Sequence, residues 1–169
     1  MIRLRRTTPA DLDFVLALEH HPDQRSFIGQ WTREQHLETM ARADREHWII
    51  ERVEDEAPQG YLIAYDARDA GYGAYIKRIA IAEKSKGIGR DALREFLAHA
   101  FRDLGAASVS LAVRHHNARA QRAYAAVGFA ERKLSADEWH HFRATVDPVG
   151  DDCFVMETTP GVVSRPNAT

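Results

Sequence analysis

The chain has 169 residues, with 44% apolar and 28% charged side chains and a formal net charge of -2, which predicts one globular domain. A balance this close to neutral gives no global attraction to polyanions, so neither a nucleic-acid nor a membrane partner is expected. Cys153 is the only cysteine, which excludes an intrachain disulfide and a cysteine metal cluster. No apolar run approaches membrane-spanning length, and the first residues lack a signal-peptide core. We therefore predict a cytoplasmic location.

The first part of the chain predicts a strand, two helices and an antiparallel meander. Ile2 to Arg6 alternates apolar and basic residues, as a half-exposed strand does. Thr8 and Thr32 each precede a helical pattern, and the second helix is expected to continue to about Glu46. Three strands are then expected at residues 47–53, 61–65 and 72–82, joined by polar turns.

The segment between the two predicted helices carries three large apolar side chains, Phe27, Ile28 and Trp31. Their spacing matches neither a helix nor a strand, so we expect a loop or a short turn. Such residues either belong to the core or line a pocket, and the sequence supports both interpretations.

The clearest local feature is the basic turn from Lys84 to Arg90, which contains Gly87 and Gly89 and opens an amphipathic helix. The apolar stripe of that helix consists of Leu93, Phe96, Leu97, Ala100, Phe101 and Leu104. The first N–H groups of a helix have no partner within it, and the helix dipole places partial positive charge there. Because glycine lets a ligand approach the backbone closely, this turn is typical of a phosphate or diphosphate site.

The second half predicts a parallel crossover, a capped helix and a final hairpin. Ser108 to Val113 has a strand pattern, and the helix before it favours parallel pairing with the strand at 72–82. Asn117 then caps a helix that carries Tyr124 on its apolar face. Residues 139–146 and 152–158 are interpreted as the two arms of a hairpin. We expect one domain over residues 1–158 and a flexible tail over residues 159–169.

Two motifs in this order carry a family resemblance. The first is Lys84-Ser85-Lys86-Gly87-Ile88-Gly89, and the second is Asn117-Ala118-Arg119-Ala120-Gln121-Arg122-Ala123-Tyr124-Ala125-Ala126-Val127-Gly128-Phe129. Together they resemble the GNAT superfamily of acetyl-CoA-dependent N-acetyltransferases. There the turn has the form Gln/Arg-x-x-Gly-x-Gly/Ala, and the helix carries Asn-x-x-Ala-x-x-x-Tyr-x-x-x-Gly-Phe. The second motif matches at every defining position, whereas the first departs at Lys84, which keeps the charge but lacks the planar fork of arginine.

The resemblance implies a fold, a cofactor and a set of binding residues. The fold class would be α/β (α+β): a mixed, mainly antiparallel central sheet, flanked by helices and splayed between its fourth and fifth strands. The cofactor would be acetyl-CoA (CoA), whose pantetheine arm would bond backbone groups of Ile79, Ala80 and Ile81. Asn117 would touch that arm or only cap its own helix. The residues expected to hold the diphosphate are Lys84, Lys86, Gly87, Ile88, Gly89 and Arg90.

The same resemblance implies the chemistry. An acceptor amine would attack the thioester directly, and Tyr124 would act as the general acid that protonates the departing thiolate. In this family a glutamate on the fourth strand or on the strand before the Asn helix often serves as the general base. In this sequence Tyr75 and Ala112 occupy approximately those two positions. The remaining candidates are Glu19, His20, His21, Glu83, His115 and His116, with ordered water as a further alternative. The sequence does not choose among them.

Other interpretations compete with these. Gly87 to Ala92 also fits a dinucleotide fingerprint, but no acid ends the next strand, where ribose recognition needs one. Without the motif around it, Tyr124 would be taken for a core tyrosine. The adjacent histidine pairs lack a His-Glu-x-x-His pattern, so no metal site is predicted.

We therefore predict an acetyl-CoA-dependent N-acetyltransferase acting on a primary amine, either a small molecule or a protein N-terminus. Phe27, Ile28 and Trp31 would line the acceptor pocket, because the family uses the segment between its first two helices in this way. A non-catalytic acyl-CoA-binding or sensing module is the alternative function. The resemblance is compatible with a homodimer, and no stretch of the sequence identifies the acceptor.

Overall fold

The computed structural model describes residues 1–163. Its strands are β1 (Ile2–Arg6), β2 (Arg45–Arg52), β3 (Pro58–Ala67), β4 (Gly73–Ile81), β5 (Val109–Arg114), β6 (Ala130–Arg132) and β7 (Cys153–Thr158). Its helices are α1 (Leu12–His20), α2 (Arg33–Ala41), α3 (Ile88–Arg102), α4 (Ala118–Ala125), α5 (Ala136–Thr145) and α6 (Pro160–Val163). A 3₁₀ turn at Pro9–Asp11 precedes α1. Within this range, no helix combines the length and the apolar character that a membrane span requires.

The strands form one mixed sheet in the order β1-β2-β3-β4-β5-β7-β6. β4 and β5 run parallel, with residues 73–76 paired to residues 109–111. The pairs β1–β2, β2–β3, β5–β7 and β6–β7 are antiparallel. The predicted mixed, mainly antiparallel sheet and its parallel crossover are therefore confirmed, and the splay between β4 and β5 stays a prediction.

The chain divides into two compact units. The first unit contains Met1–Tyr65 and Arg78–Phe96, and the second contains Asp66–Lys77 and the described residues from Leu97 onward. β4 and α3 each contribute residues to both units. The expectation of one domain over residues 1–158 stays a prediction.

The core of the first unit forms around α1. Leu12, Val15 and Leu18 recur at the spacing of one helical face and are buried. They pack with residues from β2, β3 and β4, namely Ile49, Tyr61, Ile63 and Ala80. Each fully buried aliphatic side chain of this kind contributes about 1.5–3 kcal/mol. The same helical face ends in Glu19, a charged residue that is fully buried as well.

One segment contains less helix than predicted, and another contains more. The expectation that the second helix continues to about Glu46 was wrong, because α2 ends at Ala41 and β2 begins at Arg45. Arg45 and Glu46 pair with residues 64–65 of β3, so the sheet ladder decides their conformation. No regular structure was expected from residue 159 onward, yet α6 forms one short helix there. The rest of the predicted tail lies outside the described residues.

The prediction that residues 139–146 form a strand was wrong. They belong to α5, whose start is fixed by a reciprocal pair: the Ser135 hydroxyl accepts the Glu138 N–H, and the Glu138 carboxylate accepts the Ser135 N–H. Phe142 is fully buried at the centre of an aromatic cluster. The rings in edge contact with it are Tyr72, Tyr75 and Trp139. β7 takes its partners from β5 and β6 instead of this segment.

We expect Phe142→Ala to lower the free energy of unfolding by about 3–5 kcal/mol, because a buried aromatic ring leaves a cavity that its neighbours fill only in part. His141→Ala is the matched control, since His141 is the preceding residue of α5 and is exposed. Urea unfolding followed by circular dichroism measures both variants. Equal losses at the two positions would contradict the packing of α5.

Candidate active site

The basic turn between β4 and α3 has a backbone suited to an anion. Ser85 and Gly87 adopt the left-handed conformation, with φ of 67° and 80°. Left-handed residues in such a turn direct successive N–H groups toward a common point. Among residues 1–163, no protein group accepts a hydrogen bond from the backbone N–H groups of residues 86–90. α3 begins immediately after them, so these donors also lie at the positive end of a helix.

The space over the turn is open as well. A Cβ added to Gly87 would meet only Nη2 of Arg90, at 3.7 Å, and one added to Gly89 would meet only Cγ1 of Ile81, at 3.5 Å. Both distances are ordinary contacts, so neither glycine is needed to avoid a clash inside the protein. Gly87 is needed for its positive φ. The unpartnered N–H groups and the room above them fit a diphosphate.

Both lysines of the turn already have partners in the protein. Lys84 Nζ donates to the carbonyl of Asp23 and lies 6.0 Å from the ring centre of Phe27. Lys86 forms an exposed ion pair with Glu83. Exposed pairs of this kind contribute little stability, so exchanging them for phosphate oxygens costs little.

Ala80 directs its backbone away from the expected ligand. Its carbonyl oxygen points at β3, where a Cβ on Gly60 would approach it to 2.2 Å. The N–H of Ala82 also bonds β3, donating to Gln59 at 2.8 Å. Backbone groups two residues apart in a strand face the same way. The inclusion of Ala80 among residues that bond a pantetheine arm is therefore corrected: its backbone groups are directed at β3.

Ile79 and Ile81 have the opposite orientation and direct their backbone groups away from β3. The Ile81 carbonyl accepts a hydrogen bond from Nε2 of Gln24 at 2.7 Å. Gln24 is buried, and it begins the segment that also carries Phe27. The Ile81 N–H and the backbone groups of Ile79 are thus the remaining candidates for a ligand on β4.

A buried carboxylate fixes the segment between α1 and α2. Glu19 has no exposed surface, and it accepts hydrogen bonds from the Tyr61 hydroxyl at 2.6 Å and the Trp31 N–H at 2.8 Å. The Arg78 guanidinium from β4 also donates to it and lies 4.6 Å from the ring centre of Trp31. Ile28 and Trp31 pack on the core of the first unit while staying partly exposed. Two of the three side chains predicted to line a pocket, Ile28 and Trp31, are therefore held against this core.

A line of histidines continues from this carboxylate. Nε2 of His36 lies 3.2 Å from Oε1 of Glu19, within ion-pairing distance although poorly aligned for a hydrogen bond. Nδ1 of His36 lies 3.0 Å from Nε2 of His47, whose Nδ1 lies 2.8 Å from the Thr7 hydroxyl. Burial, followed by the nearby His36, lowers the pKa of His47 to about 3, so that this ring is neutral.

These contacts remove Glu19 from the candidates for a general base. Burial by itself would raise the pKa of Glu19, but contact with His36, the charge of Arg78 and two hydrogen bonds lower it to about 2. A carboxylate so strongly stabilised in its charged form is a poor proton acceptor at neutral pH. The signal was present in the sequence, since Glu19 stands on the apolar face of α1.

In the second unit, α4 presents the other predicted residues. Asn117 caps the helix, with its Oδ1 accepting the Ala120 N–H at 3.2 Å. Tyr124 lies about two turns further along α4 and is partly buried, with its ring 6.0 Å from Phe129. Its hydroxyl has no hydrogen-bond partner among residues 1–163. Burial raises the pKa of Tyr124 to about 12, so the phenol keeps its proton and is available to donate it.

Sequence reasoning missed a second buried carboxylate, Asp147. It accepts hydrogen bonds from the Tyr75 hydroxyl at 2.7 Å and from Lys77 Nζ at 2.6 Å. Asp147 follows α5 directly and stands beside Pro148, which suggested only a turn. Its partners on β4 lie 72 and 70 positions earlier in the sequence, a pairing that local patterns do not indicate.

The exposed base candidates are spread over several places. His20 contacts the carbonyl of Leu16 at the end of its own helix, Glu83 pairs with Lys86, and His115 stacks on Phe154. Across residues 1–163, no group of His, Cys, Asp and Glu is arranged to hold a metal ion.

A family model described as an acetyltransferase (GNAT) domain matches residues 2–130. No curated protein gives a significant match to the chain.

Solved structures match the chain over nearly all of its length. The spermidine N-acetyltransferase of Vibrio cholerae, solved with CoA and spermine, has 16% identity and a TM-score of 0.73, covering 97% of this chain and 98% of that one. The aminoglycoside acetyltransferase AAC(6')-Ib, solved with coenzyme A and kanamycin, has 20% identity and a TM-score of 0.75, covering 96% of both chains. A domain from Methanocaldococcus jannaschii has 19% identity and a TM-score of 0.70, covering 94% and 98%. At these identities the likeness concerns the fold.

Glu19→Gln is expected to lower the free energy of unfolding at pH 7 by about 3 kcal/mol or more, because it leaves Arg78 buried without its counter-charge. The pKa of Glu19 is depressed in the folded protein, so its contribution is complete above the pKa of the unfolded chain and is lost as the pH falls toward about 2. The difference in the free energy of unfolding between the parent protein and the variant should therefore become smaller from pH 5 to pH 3, as measured by urea unfolding. Asp13→Asn, an exposed change on the same helix, is the control. A difference that stays constant with pH would contradict the assignment.

Proposed function

Because the chain belongs to the GNAT acetyltransferase family, whose domain model covers residues 2–130, we propose that it transfers the acetyl group of acetyl-CoA to a primary amine. The single observation that carries this proposal is the row of unpartnered N–H groups at residues 86–90, on a turn open to a diphosphate. When bound, acetyl-CoA supplies a thioester as the activated acetyl donor. The N-acetyltransferases of similar fold were themselves solved with coenzyme A.

The turn is proposed to hold the diphosphate through backbone donors of Lys86, Gly87, Ile88, Gly89 and Arg90. Such charge-assisted bonds are short and about twice as strong as neutral ones. The Lys84 and Lys86 ammonium groups would leave their exposed partners to meet phosphate oxygens. On β4, Ile79 and the Ile81 N–H would bond the pantetheine arm as an added strand does.

Tyr124 is proposed to donate its phenolic proton to the departing sulfur. One observation supports this role: the hydroxyl has no protein partner among the described residues. A positioned general acid contributes roughly 10²–10⁴ in rate. Asn117 is proposed to keep its capping bond and so set the direction in which α4 presents Tyr124.

The acceptor is proposed to be a primary amine that meets the segment of Phe27, Ile28 and Trp31. The similar structures from V. cholerae and of AAC(6')-Ib were solved with spermine and kanamycin, which are small molecules with several amino groups. Their ligands favour a small-molecule amine over a protein N-terminus for this chain. The cytoplasmic location and a homodimer remain predictions from the sequence and the family resemblance.

Incubation with acetyl-CoA and a panel of amines should release free thiol, and Tyr124→Phe should lower kcat at least tenfold while CoA affinity stays within about twofold. The variant keeps the ring and removes only the proton donor. Tyr65→Phe, which removes a phenol from β3, is the control. If the protein bound CoA but released no thiol with any amine, the alternative function, a non-catalytic acyl-CoA-binding module, would be favoured.

Gly87→Val is expected to weaken CoA binding at least tenfold in calorimetry, because a branched side chain disfavours a φ of 80° and fills the space over the donors. Gly71→Val is a closely matched control: Gly71 has a φ of 86°, and a Cβ there meets nothing within 4 Å. Both variants should lose similar stability. If both also kept full CoA affinity, the turn would not be the diphosphate site.

A further inference from the structure

Asp147 is the one charged side chain that is buried among the described residues of the second unit. Its two carboxylate oxygens are held separately. Oδ2 accepts the Tyr75 hydroxyl at 2.7 Å, and Oδ1 accepts Lys77 Nζ at 2.6 Å. Tyr75 is buried, whereas the Lys77 side chain keeps 18% of its surface exposed. Solvent therefore reaches the surroundings of Asp147 beside Lys77 but not beside Tyr75.

Stability is a weak reason for this arrangement. Removing a carboxylate and an ammonium from water costs several kcal/mol for each ion, and their attraction offsets this only in part. Apolar residues of similar volume often serve a core equally well. This pair differs from that of Glu19 and Arg78 in its partly exposed lysine, beside which another ammonium can approach the carboxylate.

The position of Asp147 relates it to the proposed catalytic helix. The loop from Asp147 leads to Cys153 of β7, which pairs with Arg114 at the end of β5. The Asn117 N–H donates to the Arg114 carbonyl at 3.0 Å, and α4 starts there. The carboxylate thus comes from the same group of loops that starts the helix of Tyr124.

The strand that supplies its partners is the proposed pantetheine strand. Side chains alternate along β4, so Tyr75 and Lys77 share one face with Ile79 and Ile81. Lys77 and the acceptor carry the same chemical group, a primary ammonium. The contact between Lys77 and Oδ1 therefore demonstrates that this carboxylate accommodates such a group in hydrogen-bonding geometry.

We propose that Asp147 binds the ammonium of the acceptor in place of Lys77 and accepts the proton that the amine must lose. This inference rests on the proposed function. One N–H bond of the ammonium breaks, and its proton passes to Oδ1 of Asp147. The freed lone pair forms the N–C bond, the C–S bond breaks, and the sulfur takes its electron pair together with the Tyr124 proton. The second amine proton returns through solvent to restore Tyr124, and Asp147 releases its own to water.

An ion pair that only supports the fold predicts a loss of stability, with kcat and the amine KM nearly unchanged in any variant that still folds. The proposal predicts unequal losses of activity, because Lys77 competes with the acceptor whereas Asp147 serves it. Asp147→Asn keeps the volume and can still accept the Tyr75 hydroxyl, but it removes the negative charge. Lys77→Gln keeps a donor at the side that solvent reaches and removes the competing ammonium.

The experiment measures kcat, the KM for the amine and CoA affinity for both variants, with the best amine of the panel and saturating acetyl-CoA. Asp147→Asn should lower kcat/KM for the amine about 100-fold or more, with CoA affinity within about twofold of the parent protein. Lys77→Gln should keep kcat within about threefold and leave the amine KM unchanged or lower. Asp151→Asn is the control on the same loop, where the carboxylate is exposed and pairs with Arg143.

A fully active Asp147→Asn variant, or equal losses in the two variants, would overturn the assignment. If Asp147→Asn does not fold, Lys77→Gln decides, since a folded Lys77→Gln with a kcat/KM more than tenfold below the parent protein contradicts the proposal. Absence of thiol release by the parent protein itself would overturn the proposed function and this inference together. An active parent protein with an unaffected Asp147→Asn would overturn this inference alone.

Discussion

A carboxylate that is cut off from water must find its hydrogen-bond donors within the protein, and this requirement organises the first unit. Glu19 satisfies it with donors from three different places: Tyr61 on β3, Arg78 on β4 and the backbone of Trp31. Losing any one of them would leave a buried charge that is only partly satisfied, which is costly. The irregular segment before α2 is therefore held against the sheet by the same interaction that fixes the end of α1.

The turn before α3 obeys a complementary requirement, since its donors lack acceptors. The protein keeps the N–H groups of residues 86–90 free by giving Ser85 and Gly87 a left-handed backbone. A serine in that conformation costs about 1 kcal/mol or more, which the proposed diphosphate would offset. The turn has donors without protein acceptors, whereas Glu19 is an acceptor surrounded by donors, and this contrast separates the proposed ligand site from a structural one.

Local patterns predicted the parts of the molecule whose causes are local. Glycine spacing, the Asn117 cap and the apolar stripe of α3 each act over a few residues, and each appears in the structure as predicted. The contacts of Glu19 with Tyr61 and of Asp147 with Tyr75 span 42 and 72 positions, so no local pattern indicated them. The error in α5 had a different cause. The Ser135–Glu138 capping box was present in the sequence, and Trp139 and Phe142 follow it at helical spacing, but the segment was interpreted as the hairpin partner of residues 152–158.

The guanidinium of Arg78 above Trp31 has an optical consequence. The chain has three tryptophans, and the other two also lie beneath arginines: Trp48 is 4.0 Å from Arg6 and Trp139 is 4.8 Å from Arg143. A fixed positive charge over an indole shifts the energy of its excited state, so the emission colour depends on whether the arginine stays in place. A chain that retains only Trp31 would carry a built-in fluorescent reporter at the segment where the acceptor is proposed to bind.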